Sequence, residues 1–280
     1  MILSVSAFLL LVAVLKATSV LQAIRWIGYH GAAYRSRVPK DDSSDRQYWD
    51  AFAQNCGAFF PFGVKDYRLR RAIVELEGRG LLLRGVGLAL RFFQGVFDFP
   101  RLAAVSGVYA LLVVPLSLTA AQRDVLYALV VCILATTILL SVEAVFSFAV
   151  LGDYARSFHM LSPATEKWSG TSQRLVELKV LAVQVAATLW AGAVAAYVGH
   201  VAFGALKGDV LVTFAACNVA TWLGLLWQCL YFVMTTLSTV GYGDITPANA
   251  YGQVVAVLVQ FQAFAILAIV VTSLFSTRSK

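Results

Sequence analysis

The sequence predicts an all-α integral membrane protein with about five transmembrane helices and a re-entrant half-helix that runs into a glycine-punctuated loop. Three observations lead there. The 280 residues are 60% hydrophobic and only 13% charged, whereas soluble domains carry about 25% charged residues. Apolar stretches close to the ~20 residues that a bilayer core demands of a helix recur along the chain. Finally, "TLSTVGYGDITP", Thr236 to Pro247, breaks the apolar C-terminal region with two glycines around a tyrosine.

The apolar stretches can be taken in order. Residues 1–24 are interrupted by Lys16, and Leu102 to Thr119 carries Pro115. Val125 to Leu151 has Glu143 as its single charge. Leu181 to Gly204 is uncharged but contains Gln184 and His200, and Tyr251 to Phe275 is uncharged. A further run, Val210 to Val233, is broken by small and polar residues before the glycine loop. No Lys or Arg precedes the first stretch, and it has no clear A-x-A site. It therefore reads as a retained anchor, with a cleaved signal peptide as the alternative.

Residues 25–101 are of another kind. They hold thirteen of the 22 Lys and Arg residues. "KDDSSDRQ", Lys40 to Gln47, reads as an exposed loop. Arg68 to Phe93 mixes arginines with leucines, but at irregular spacing and with five glycines from Gly78 to Gly95. A voltage-sensing helix needs regularly stepped arginines inside a span. An amphipathic interfacial helix on an anionic leaflet fits better, with a span over residues 80–99 as the alternative. On that reading the segment from Lys65 to Arg91 contacts anionic lipid and biases activity. Neutralising Arg68, Arg70 and Arg71 should then alter the response of the protein to anionic liposomes; an unaltered response counts against it.

Other candidates yield to simpler readings. Glu143 lies in a stretch longer than a bilayer needs and is expected near an interface. His30, His159 and His200 have no evident partners. Cys56, Cys132, Cys217 and Cys229 form no C-x-x-C pair, so neither a disulfide frame nor a zinc site is expected. No Walker loop, H-E-x-x-H or G-x-S-x-G is present, so no enzyme and no cofactor is expected.

The loop has more to say. Trp227 to Leu237 is apolar, of helical length, and too short to span alone. A half-helix that dips in and returns suits it. Irregular backbone at membrane depth survives only when buried in protein or lining an aqueous path; a turn outside the membrane is the alternative. Gly241 and Gly243 can take the positive φ that Val240 and Tyr242 resist. That interleaving lets successive carbonyls face one way. Four such strands around an axis make rings of carbonyl oxygens that replace the water shell of an ion. The half-helix would aim its partly negative C-terminal end at the centre, where a cation is favoured.

Thr239-Val240-Gly241-Tyr242-Gly243-Asp244 resembles the selectivity filter of the potassium channel family. The likeness extends to the aromatic-containing half-helix before it, the "ITP" turn after it, the helix from Tyr251, and Leu181 to Gly204 as outer helix. It spans roughly the last hundred residues. The resemblance implies a homotetrameric, passive potassium channel. The carbonyls of Thr239, Val240, Gly241 and Tyr242 would then hold K+ as permeant ion, with the Thr239 hydroxyl innermost. Gly243 would close the outer mouth, and Asp244 would support the filter and attract cations. Tyr242 favours potassium, since related channels with an acidic residue there are less selective. Two positions depart from the family pattern. Thr235 stands where some relatives carry a glutamate behind the filter, and Ala263 stands where many have a glycine hinge. Gln260 and Gln262 face the cavity or pack against a neighbouring helix.

The implied topology puts the filter mouth outside and both ends of the pore module in the cytoplasm. Counting back gives an outside N-terminus followed by an anchor at 1–24 and a basic cytoplasmic or interfacial segment at 25–101. A helical hairpin at 102–152, a cytoplasmic linker at 153–176 and the pore module at 177–276 complete the expected organisation. Only Arg123 and Lys207 fall in the expected outer links, which agrees with the positive-inside rule. A multi-pass plasma-membrane protein is expected, with a homotetramer and membrane lipids as partners and no nucleic acid. With five residues after Phe275, no ligand-binding domain is expected there. Two rival functions remain: a weakly selective cation channel of the same architecture, and a non-conducting membrane scaffold or accessory subunit.

Overall fold

The computed structural model describes residues 2–35, 99–116, 118–146, 173–208, 211 and 219–276. The arginine-rich segment at 65–91, the alternative span at 80–99 and most of the linker lie outside them, as do His159, Cys56 and Cys217. Six helices and one two-stranded ladder are described: α1 (Ile2–Arg35), α2 (Phe99–Val113), α3 (Ala120–Phe146), α4 (Gln173–Phe203), β1 (Leu206–Lys207), α5 (Val219–Leu237), β2 (Thr246–Pro247) and α6 (Ala250–Ser276). The all-α membrane class is thus what the chain adopts.

Local chemistry sets the ends. α2 stops at Val113, short of Pro115, because the residue before a proline avoids the helical region. Leu116 N–H turns back to the Val113 carbonyl at 3.0 Å. α3 begins at Ala120, five residues before the apolar stretch, and so includes Arg123 and Asp124. The reason is a reciprocal cap: Thr119 N–H donates to Gln122 Oε1 at 2.9 Å, and Gln122 N–H donates to Thr119 Oγ1 at 3.4 Å. α4 ends at Gly204, whose φ of 62° is the left-handed stop common after helices.

Among the described residues four helices are long and apolar enough to cross a membrane: Ala120–Phe146, Leu181–Phe203, Ala220–Leu237 and Ala250–Val271. The stretches expected at 1–24 and 102–119 contribute the shorter apolar helical segments Ile2–Thr18 and Arg101–Val113. The helix α1 itself continues to Arg35. α5 starts well before Trp227, and its 19 residues make it longer than the half-helix expected from sequence. At ~1.5 Å per residue it approaches the ~30 Å of a bilayer core, so its length alone does not make it re-entrant.

α4 is the centre of the packing. Ala191 to Gly199 are all buried, and α2, α3, α5 and α6 all pack on the helix. The run "AGAVAAYVG" is small enough for close backbone approach on every side. A methyl on Gly192 would stand 2.9 Å from Val233 of α5 and 3.4 Å from Val259 of α6. One on Gly107 of α2 would stand 2.6 Å from the Trp190 indole, whose Nε1–H donates to the Ala103 carbonyl at 3.1 Å. α1 packs on α3, and its first turn is tied to α2 by Tyr109, which bonds Ser6 at 2.9 Å and the Ile2 carbonyl at 3.0 Å. Glu143, expected near an interface, is 1% exposed and sits inside this packing.

Candidate functional site

The site is the segment between α5 and β2. α5 turns one face to the core through Leu225, Cys229, Phe232 and Val233, a helical spacing, and leaves Leu223, Trp227 and Met234 exposed. Its last turn is consolidated by side chains. Thr235 and Thr236 hydroxyls both donate to the Phe232 carbonyl, at 3.0 and 2.7 Å. Neither donation reaches the loop after α5, so the part Thr235 plays there comes from its backbone.

The Thr235 carbonyl accepts from Val240 N–H at 3.1 Å, Gly241 N–H at 3.2 Å and the Ser238 hydroxyl at 3.2 Å. Thr239 N–H donates to the Thr236 carbonyl at 3.1 Å. Three successive amide groups therefore point back at the end of α5. In a trans peptide the carbonyl of the preceding residue points the opposite way. The carbonyls of Ser238, Thr239 and Val240 are thereby turned away from α5, all to one side.

The φ angles carry the pattern onward. Thr239 has φ 59°, Gly241 54° and Gly243 81°, whereas Val240 and Tyr242 are not in the positive region. Alternation of this kind keeps peptide planes facing one way, where a strand would alternate them. Glycine carries the positive values without penalty. Thr239 does not, and a non-glycine residue held there costs on the order of 1 kcal/mol. Residues 238–244 are all exposed in the single chain, Tyr242 at 71%.

The loop leaves the site under control. The Tyr242 ring stacks on Tyr231 of α5 at 6.5 Å, with 7° between planes. The Tyr231 hydroxyl lies beside the Asp244 side chain. Asp244 Oδ1 also accepts Ile245 N–H at 3.0 Å, which fixes the turn out of the loop. Beyond it, Thr246 and Pro247 pair with Lys207 and Leu206, and the Ala248 N–H donates to the Ala205 carbonyl at 2.8 Å. Gly208 sits against the Asp244 carbonyl oxygen and Gly252 against that of Ala205, each where a methyl would overlap backbone. Asn249 caps α6: its Oδ1 accepts from Tyr251 N–H at 3.1 Å and Gly252 N–H at 3.3 Å. Its Nδ2 donates to the Phe203 carbonyl at 2.9 Å, so the cap also holds the end of α4.

α3 braces this end from behind. Tyr127 donates to the Tyr251 carbonyl at 2.6 Å and sits edge-on to the stacked Phe203 and Tyr251 rings, which are 4.1 Å apart. Arg123 Nη1 donates to the Ala202 carbonyl at 3.3 Å. Tyr231, Asn249, Gly208 and Gly252 were not singled out from sequence. Asn before an apolar helix is a readable cap signal; the other three depend on partners distant in sequence.

The remaining sequence candidates separate cleanly. Gln262 packs on a neighbouring helix, where its Nε2 donates to Ser141 Oγ of α3 at 2.7 Å, whereas Gln260 is exposed. Among the described residues no group of His, Cys, Asp and Glu is placed to hold a metal ion.

The family model described as "Ion channel" matches residues 201–279, from the last turn of α4 through α6. No curated protein and no solved structure matches the chain. The match supports an ion channel carried in the membrane by this C-terminal module, with the loop just described inside it.

Proposed function

We propose that this protein is a passive, potassium-selective channel that conducts as a homotetramer in the plasma membrane. The observation that carries the reading is the one-sided backbone of Thr239 to Gly243. The amides of Thr239, Val240 and Gly241 are taken up by the end of α5, and positive φ values fall at Thr239, Gly241 and Gly243. A single chain leaves that polar backbone uncovered, which is costly at membrane depth. Rings of carbonyls contributed by symmetric copies resolve the cost and replace the hydration shell of an ion. Thr239, Val240, Gly241 and Tyr242 would supply these carbonyls and Thr239 a hydroxyl. Gly243 would close the mouth, and Asp244 would hold the loop through Tyr231 and Ile245. Thr235 supports the arrangement by its carbonyl. The orientation implied by the channel resemblance puts the N-terminus outside and the C-terminus in the cytoplasm, and the Lys and Arg distribution supports it.

Purified protein in liposomes loaded with potassium against external sodium tests the reading. Barium-blocked potassium flux that exceeds sodium flux is expected. Equal fluxes would make it a weakly selective cation channel, and no flux would leave a scaffold or accessory subunit. Tyr242→Asp removes the ring that stacks on Tyr231 and adds a charge at the mouth. The potassium-to-sodium flux ratio should then fall towards parity; a retained ratio would remove Tyr242 from the filter.

A further inference from the structure

We propose that Gln262 and Ser141 form a latch that holds the pore-lining helix α6 back against α3 and keeps the pore wide, so that the N-terminal helices bear on the gate. The proposal rests on the channel reading above. α6 is a poor hinge. It runs unbroken from Ala250 to Ser276 and contains no glycine or proline after Gly252. A helix without an internal weak point moves as a rod, and a single anchor near its middle then governs its tilt. Gln262 is that anchor. Its side chain is fully buried, whereas Gln253 and Gln260 on the same helix are exposed.

The anchor is made by a chain of donors. Gln262 Nε2–H donates to Ser141 Oγ at 2.7 Å, and the Ser141 hydroxyl donates to the Thr137 carbonyl at 3.1 Å. The first bond joins residues 121 apart in sequence, so it ties two helices with no short loop between them. Apolar side chains can slide past one another at little cost. A buried amide cannot, because parting it from Ser141 leaves the Gln262 Nε2–H donors unsatisfied in apolar surroundings, while Ser141 keeps its bond to Thr137.

The direction follows from the opposite face of α6. Phe261, Phe264 and Leu267 are 59%, 64% and 59% exposed, and in an assembly closed around the filter this face turns to the axis and the neighbouring copies. α3 lies on the other side. Narrowing the pore draws α6 away from α3 and breaks the bond, so the bond favours the wide state.

Single-channel recording of the full chain in planar bilayers tests this with Ser141→Ala, Gln262→Leu, the double variant and Ser141→Thr. Each single substitution is expected to lower the open-to-closed ratio about tenfold, the scale of one net hydrogen bond. Ion selectivity should not change. The double variant should be no lower than either single one, and Ser141→Thr, which keeps the hydroxyl, should stay near the unsubstituted protein. An unchanged or raised ratio, or additive losses, overturns the latch. If the unsubstituted protein carries no current, the channel reading fails instead. Hydrogen–deuterium exchange along α6 then judges the contact by itself: faster exchange, equal in both singles and the double, supports it, and unaltered exchange overturns it.

Discussion

On the proposed channel reading, Gly241→Ala is expected to reduce potassium flux on the order of a hundredfold while leaving the folded protein intact. The position has φ 54°, and nothing lies within 4 Å of where the methyl would go. The substitution therefore does not clash within the chain; it strains the backbone. An L-residue in this region costs roughly 1–2 kcal/mol, and the chain can relieve that by rotating the peptide. Rotation swings a carbonyl out of line, and in a symmetric assembly it does so in every copy. A lost set of ion–carbonyl contacts at about 3 kcal/mol corresponds to the hundredfold. Gly204→Ala is the internal control. Gly204 has φ 62° and is equally open, but it lies just after α4, outside the loop, where its carbonyl accepts from Asn249 Nδ2 at 3.4 Å. It should cost about 1 kcal/mol of stability and leave selectivity unchanged. If the two variants lose flux equally, the special role of Gly241 is gone.

The comparison of these two glycines also shows what a sequence can and cannot state. The pattern around Gly241 is local: alternate glycines, a preceding apolar helix and a following turn. Such features read directly, because φ preference and hydrophobic periodicity belong to neighbouring residues. The same holds for α6, whose uncharged stretch became a helix within a residue of expectation at each end, and for the C-terminal end of α4, although that helix starts eight residues before its uncharged stretch. The capping pair of Thr119 and Gln122 was equally local and places the start of α3, so the apolar boundary at Val125 was a choice of the wrong signal. The length of α5 was misjudged because small and polar residues interrupt its apolar run, and helix continues through them when one face packs on α4. Gln262 marks the true limit. Its two options were open in the sequence, since the choice depends on Ser141, which is 121 residues away and on another helix. The burial of Glu143 was hidden for the same reason.

Gly252 belongs with those long-range features, and Gly252→Ala should be among the most damaging single-methyl changes in the molecule. Unlike Gly241, it has no unusual φ, so conformation does not require glycine there. Space does. A Cβ at Gly252 would overlap the carbonyl oxygen of Ala205 and stand 3.2 Å from Pro247 Cα. Neither neighbour is the tip of a flexible side chain. The Ala205 carbonyl is already committed to Ala248 N–H at 2.8 Å, and Leu206 next to it pairs with Pro247 in the ladder. Gly252 N–H is itself part of the Asn249 cap. A methyl must therefore displace the start of α6, the ladder or the end of α4, and each holds the exit of the loop between α5 and β2. Overpacking a well-packed site costs about 1–3 kcal/mol, and lost backbone bonds add to it. The expected result is a clear drop in the unfolding midpoint of detergent-solubilised protein, together with lost flux. Gly241→Ala, by contrast, should lose flux at a nearly unchanged midpoint. An unchanged midpoint for Gly252→Ala would mean that α6 can shift away from α4 cheaply, and the close approach would then not be what positions the loop.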